Sequence, residues 1–261
     1  MEDVSVISLS GKIALVTGAA KRLGRATALA LAHEGVNIVL HCRTSADAAE
    51  ELARTIRGLG VGAWTLTADL TEAGAPESLV ERAMEAAGPL DFLINNASVF
   101  PEGRLNGITV ESIHASVDLN ALAPFLAARR FAEQLRSGSE GTPRREGAII
   151  NFLDARIVDY DREHVAYHLS KRMLFELTRM MALEFAPAIR VNAVAPGLIL
   201  PPAGKDEGYL ASLAHTNPLN RYGAVDDVTS AVLFLLQSPF ITGEVIFVDG
   251  GRHLQGNTYG C

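Results

Sequence analysis

The chain has 261 residues, 48% of them hydrophobic and 20% charged, with 23 basic against 30 acidic side chains and a net charge of −7. A chain of this size buries one large core. The absence of any lysine- and arginine-rich stripe argues against a nucleic-acid surface.

Cys42 and Cys261 make neither a disulfide framework nor a zinc site, so a reducing compartment is expected and no metal is implied. Met1–Ser10 lacks the basic and apolar regions of a signal peptide. No run of ~18 apolar residues offers a membrane span. The expectation is a cytoplasmic globular protein.

Short apolar runs alternate with longer helical patterns, the rhythm of a parallel sheet wrapped by helices. Lys12–Thr17 reads as the first strand, followed by a glycine-containing turn and a helix through about Glu34, which Gly35 stops. Asn37–His41 is the second strand and Ala46–Leu59 a helix rich in Ala, Glu and Arg. Ala63–Thr67 and Asp91–Asn95 are the third and fourth strands.

Gly147–Phe152, Ile189–Ala195 and Glu244–Val248 read as the remaining strands, with helices over Asn120–Arg136, Tyr167–Phe185 and Asp226–Leu236. Right-handed crossovers then predict a single-domain, Rossmann-type α/β fold, a doubly wound parallel sheet in the order 3-2-1-4-5-6-7. Ser137–Glu146 reads as a polar exposed loop. Gly197–Asn217, with Pro201, Pro202, Gly204 and Gly208, reads as an irregular loop placed to cover a ligand or to lie bare on the surface.

Thr17-Gly18-Ala19-Ala20-Lys21-Arg22-Leu23-Gly24 joins the first strand to a helix. Gly18 permits a sharp turn, and the helix N-terminus offers free N–H groups to a pyrophosphate. The second strand ends in His41-Cys42-Arg43-Thr44-Ser45, with no carboxylate to bind a ribose 2′-hydroxyl. Arg43 and Arg22, with neighbouring hydroxyls, suit a 2′-phosphate instead, so NADPH/NADP+ is the expected cofactor. Asp69 is placed either to bond an adenine amino group or to cap the Asp69-Leu70-Thr71 turn.

Tyr167 and Lys171 stand four apart on one helix face. A free tyrosine titrates near ~10, and a nearby ammonium is expected to lower that value, fitting Tyr167 to hand over a proton.

Taken together, the TGAAKRLG turn, Asp69, Asn95-Asn96-Ala97, Asn120, Tyr167/Lys171 and Pro196-Gly197 resemble the short-chain dehydrogenase/reductase superfamily over nearly the whole chain. The resemblance implies Tyr167 as proton donor, Lys171 holding the nicotinamide ribose and Asn120 supporting a relay water. It places Thr17, Gly18, Arg22, Leu23 and Gly24 on the dinucleotide, with His41, Arg43, Thr44, Ser45, Asp69 and Leu70 at the adenosine end. Asn96, Ala97, Ser98, Tyr167, Lys171, Pro196 and Gly197 belong to the same cofactor surface. It also implies a homo-oligomer, a tetramer before a dimer.

Two positions depart from that family. Arg22 stands where it usually has a third glycine, and Asp154 replaces its serine thirteen residues before Tyr167. An ionised Asp154 would repel a developing alkoxide by a few kcal/mol, whereas it suits a substrate with N–H donors. Asn96-Ala97-Ser98-Val99-Phe100, with Arg22 and Asp154, is similar to the pteridine reductase branch. There Arg22, Ser98, Phe100, Asp154 and Tyr167 would meet a flat pteridine-like ring stacked on Phe100, and a neighbouring subunit's C-terminus can contribute.

The expected reaction is hydride transfer from NADPH to a C=N bond of a dihydropterin or dihydrofolate. The alternatives are a carbonyl or 3-ketoacyl reductase, or a silent NADPH-binding sensor in which Asp154 merely caps the Ala155–Asp161 turn. Phe100 has a plainer role open to it as a half-buried loop anchor.

Overall fold

The structure is a computed structural model, described here for residues 6–136, 146–202 and 204–256 and for the backbone of 258–259. Residues 137–145 of the expected polar loop, residues 1–5, and Asn257 and Cys261 of the tail lie outside the described residues.

Seven strands form one parallel sheet: β1 (Ile13–Val16), β2 (Asn37–Cys42), β3 (Ala63–Thr67), β4 (Phe92–Asn95), β5 (Gly147–Phe152), β6 (Ile189–Pro196) and β7 (Val245–Val248). Numbered in this way they lie in the expected order 3-2-1-4-5-6-7. The central strands are mainly apolar because helices cover both faces, and their buried Asn95, Asn151 and Asn192 are hydrogen-bonded. Alternate residues divide between two cores. Ala14, Val16, Ile38, Leu40, Phe92 and Ile94 enter one core with Ala28, Leu31, Val228 and Val232. Leu15, Val39, Leu93 and Ile149 enter the other with Leu79, Ala128, Phe131 and Met181.

The helices are α1 (Arg22–His33), α2 (Ala46–Gly58), α3 (Ala75–Ala87), α4 (Val110–Val117), α5 (Ala123–Arg136), α6 (Val165–Phe185), α7 (Glu207–Leu213) and α8 (Val225–Gln237). Gly35, at φ +81°, ends α1 as expected.

Four features correct the expectations. Helix α3 fills a stretch to which no element was assigned. The helix expected from Asn120 begins at Val110, on a Thr109/Ser112 capping box, and passes through a π segment at Asp118–Leu122 before α5. The 197–217 stretch contains α7 and a 3₁₀ turn (Ala214–Thr216) rather than loop alone. A two-stranded parallel ribbon pairs Tyr160–Asp161 with Thr258–Tyr259. Among the described residues no helix is long and apolar enough to cross a membrane.

Candidate active site

The turn after β1 is braced from β4. The Thr17 hydroxyl accepts from the N–H groups of Asn96 and Ala97 at 2.9 and 3.0 Å, and the Asn96 amide donates to the carbonyls of Thr17 and Gly18 at 2.9 and 3.1 Å. Gly18 adopts φ +62°. A Cβ on Gly24 would lie 2.3 Å from the Gly18 carbonyl oxygen, so only glycine lets α1 start this close to the strand. What remains is a bare backbone cradle at a helix N-terminus, the shape a pyrophosphate needs.

Around that cradle the expected cofactor residues take different parts. Arg43 and Thr44 are exposed at the end of β2 and Ser45 is half-buried beside them, all free to approach a ligand from the rim. Arg43 pairs loosely with Asp69 at 3.7 Å. Asp69 caps its turn, accepting from the Thr71 N–H and hydroxyl at 3.0 and 2.7 Å, and these bonds hold its carboxyl below the usual range. Leu70 is buried.

His41 is a correction: it is buried and both ring nitrogens engage main-chain groups, so its side chain is not available to a phosphate. Arg22 is exposed at φ +54°, and its Nη2 donates to the Pro201 carbonyl at 2.8 Å, joining the turn to the 197–202 segment. Leu23 packs on the first core. Pro196 ends β6, and Gly197 lies so close to Asp249 that a Cβ would come within 2.6 Å of that residue's own Cβ.

The catalytic candidates meet beyond the carboxyl ends of β4 and β5. The Tyr167 hydroxyl donates to Asp154 Oδ2 at 2.8 Å. The other carboxylate oxygen accepts the Arg156 N–H at 2.8 Å, capping the 3₁₀ turn Ala155–Val158. Asp154 therefore caps its turn, as one sequence reading has it, and the same side chain also holds the Tyr167 hydroxyl. Burial and then the Asp154 carboxylate push the Tyr167 hydroxyl well above the ordinary tyrosine range.

That overturns the expectation that Lys171 lowers it. Lys171 Nζ sits 5.8 Å from the Tyr167 ring centre and donates to the Phe152 carbonyl at 2.7 Å. Burial brings its ammonium down to about 8, partly offset by Asp154. Its two further donors have no partner among the described residues.

Asn120, in the π segment, is fully buried and fully engaged. Its Oδ1 accepts from the Ser98 hydroxyl and the Val99 N–H, and its amide donates to the Val99 carbonyl and the Ser170 hydroxyl, all at 2.9–3.0 Å. Its side chain fixes the 98–99 loop and has no donor or acceptor left over for a water.

A scan of family models matches residues 18–253 to the family described as enoyl-(acyl carrier protein) reductase. The D-erythrulose reductase of Gallus gallus is 35% identical over 94% of this chain and 97% of its own. The chain belongs to the short-chain dehydrogenase/reductase family. The L-xylulose reductase of Cavia porcellus is 34% identical, covering 94% and 98% of the two chains. Among solved structures, FolM alternative dihydrofolate reductase 1 from Brucella canis, complexed with NADP, superposes with a TM-score of 0.86 at 31% identity, over 95% of this chain and 96% of that one.

Within this short-chain reductase site, Phe100 meets the Tyr167 ring edge-on at 4.6 Å but stacks on His164 at 3.9 Å. His164 thus covers one face of the Phe100 ring. Arg156 and His164 both hydrogen-bond to the buried Asp161 carboxylate, and the Arg156 guanidinium lies 5.1 Å from the Phe100 ring centre. These three residues were not foreseen, and no local pattern marks them, because Phe100 reaches them only through the fold. A groove of about 600 Å³ beside β7, lined by Leu198, Leu219 and Phe247, includes none of the catalytic candidates.

Proposed function

We propose that the chain uses NADPH to reduce a C=N bond of a flat, pteridine-like heterocycle, a dihydropterin or dihydrofolate. The observation that carries this reading is Asp154 accepting the Tyr167 hydroxyl proton at 2.8 Å. A carboxylate there disfavours a carbonyl oxygen gaining charge but accepts from a ring N–H.

The cradle at Gly18 and Gly24, the absence of an acidic side chain at the end of β2, and the exposed Arg22 and Arg43 fit a 2′-phosphorylated dinucleotide. The FolM structures solved with NADP support the same reading. Bound NADPH supplies the hydride that goes to the ring carbon.

The chain's own groups do the rest. The Tyr167–Asp154 pair protonates the adjacent nitrogen, so that the C=N bond becomes CH–NH. Lys171 turns its two spare donors to the ribose hydroxyls, and the main-chain carbonyl of Asn120 holds a water that resupplies the proton. Phe100 and Ser98 border the substrate ring. Exposed Met180 and Leu183 on α6 fit a homo-oligomeric assembly, and the family resemblance favours a tetramer before a dimer.

A second reading, keto-reduction of a small polyol-like substrate, is favoured by the sugar reductases among the relatives. Loss of nicotinamide absorbance is followed with dihydropteridines and dihydrofolate beside ketones, quinones and an acetoacetyl thioester. Turnover confined to the pteridines supports the proposal, and turnover on carbonyls alone replaces it with the second reading. Binding of NADPH that nothing consumes marks a sensor.

A further inference from the structure

His41 is 2% exposed and stands between the two turns that flank the end of β2. The Gly18 N–H donates to its Nδ1 at 3.2 Å, and its Nε2 lies 3.1 Å from the Ala68 carbonyl oxygen. A main-chain N–H only donates, so Nδ1 must be bare. A carbonyl only accepts, so Nε2 must carry the hydrogen. The neutral Nε2–H tautomer alone satisfies both neighbours.

Main-chain bonds reinforce the bracket. The His41 carbonyl accepts the Ala19 N–H at 2.8 Å, and the Cys42 carbonyl accepts the Ala68 N–H at 3.2 Å. One residue thereby occupies the N–H groups of Gly18 and Ala19. The phosphate turn is held against β2, and the groups at the start of α1 are left for a ligand.

We propose that His41 is a positioning residue for the dinucleotide: its neutral ring ties the phosphate turn to the Ala68–Asp69 turn, and protonating it opens the bracket and weakens cofactor binding in acid. This rests on the reading of the 17–24 turn as the NADP site. A protonated ring would set an Nδ1–H against the Gly18 N–H, two donors with no acceptor between them.

Several groups act on the ring. Burial comes first and holds it below the ordinary histidine range, while the Ala68 carbonyl pulls the other way. Arg82 of α3 opposes a second positive charge, and Asp69, itself paired with Arg43, favours one. The net direction is downward, so the ring is neutral at neutral pH and the bracket is lost only as the solution turns acid.

The test compares NADP+ affinity of the wild type, His41→Asn and His41→Leu by calorimetry from neutral to acid pH. Nitrogen NMR of the ring is recorded on the ligand-free protein. Asparagine sets an amide oxygen near the Nδ1 position, loses the Ala68 bond and cannot be protonated, so at neutral pH it is expected to bind NADP+ more weakly than wild type but more tightly than His41→Leu. The wild-type affinity should fall more steeply in acid than that of His41→Asn, by up to about tenfold per pH unit, the signature of one extra proton. Titration of the ligand's own phosphate is common to both proteins and cancels.

His41→Leu, which keeps the bulk and loses both ring bonds, should bind about tenfold more weakly at neutral pH. Parallel pH slopes for wild type and His41→Asn overturn the proposal, as does a ring spectrum showing Nδ1–H. An Nε2–H spectrum in a wild type with no affinity for NADP+ overturns the dinucleotide reading itself.

Discussion

Tyr167→Phe and Asp154→Ala, made singly and together, form the sharpest test of the proposed chemistry. The bond between them is 2.8 Å long and ends on a carboxylate. Such a bond is worth about 1.5–3 kcal/mol, or roughly 10- to 150-fold in rate if it matters only in the transition state. Loss of the proton donor altogether costs about 10²- to 10⁴-fold. The expected falls in kcat are therefore about a thousandfold for Tyr167→Phe and about a hundredfold for Asp154→Ala.

If the two act as one proton-delivering unit, the double variant falls no further than Tyr167→Phe alone. Independent roles would multiply to about a hundred-thousandfold. NADP+ affinity, measured by calorimetry, should fall far less than kcat throughout, because the phosphate cradle of the 17–24 turn is untouched. Asp154→Ala also removes the Arg156 N–H cap, worth about 1 kcal/mol of stability. Asp154→Asn, which retains an oxygen to cap with, should lose the same activity at less cost in melting temperature. Multiplying losses, or NADP+ affinity falling in step with kcat, would refute the reasoning.

Three other perturbations address the rest of the site. Gly24→Ala sets a Cβ 2.3 Å from the Gly18 carbonyl oxygen, which forces the cradle open. NADP+ affinity should fall about a hundredfold by calorimetry, and a change within threefold would mean that the turn does not carry the cofactor. Arg22→Gly relieves a left-handed backbone at φ +54° and removes the guanidinium that bonds the Pro201 carbonyl and is proposed to meet the 2′-phosphate. Denaturation should show about 1 kcal/mol of added stability while NADP+ binding weakens about tenfold, and a loss of stability would contradict the strain. Lys171, brought down to about 8 by burial, binds its proton less tightly folded than unfolded. Stability relative to Lys171→Met should therefore rise by about 2 kcal/mol from pH 8 to 9.5, where only the unfolded chain keeps the proton, and a flat difference in chemical denaturation would contradict it.

The strands of this fold are legible because burial on both faces leaves short, unbroken apolar runs such as Ala14–Val16 and Phe92–Ile94 between turn residues. The 110–136 helix is harder to read. The π segment at Asp118–Leu122 inserts a residue into the helical period and shifts the apolar phase, so only the part from Asn120 onward reads as helix. Helix α3 carried a readable signal, with Pro76 in its first turn and Leu79, Val80 and Ala83 buried at helical spacing. The cofactor half of the site is visible because glycines and main-chain groups build it, and their spacing is local. The surroundings of Phe100 are not visible, since Arg156, Asp161 and His164 meet it only when the β5 end folds against the 98–103 loop.

Asp154 shows why local and functional readings of one residue need not compete. A carboxylate has two oxygens; here one caps the turn at Arg156 and the other holds the Tyr167 hydroxyl. The cap fixes the side chain's orientation, and that fixed orientation is what aims the second oxygen at the phenol. A serine at this position has a single oxygen. It can cap the turn or receive the tyrosine proton at one point in space, but it cannot span both partners. The exchange of serine for aspartate thus adds an acceptor without giving up the cap. Asp154→Ser should consequently keep the melting temperature of the wild type while losing the coupling between residues 154 and 167. Were that coupling to survive in the serine variant, the second oxygen would have no part in it.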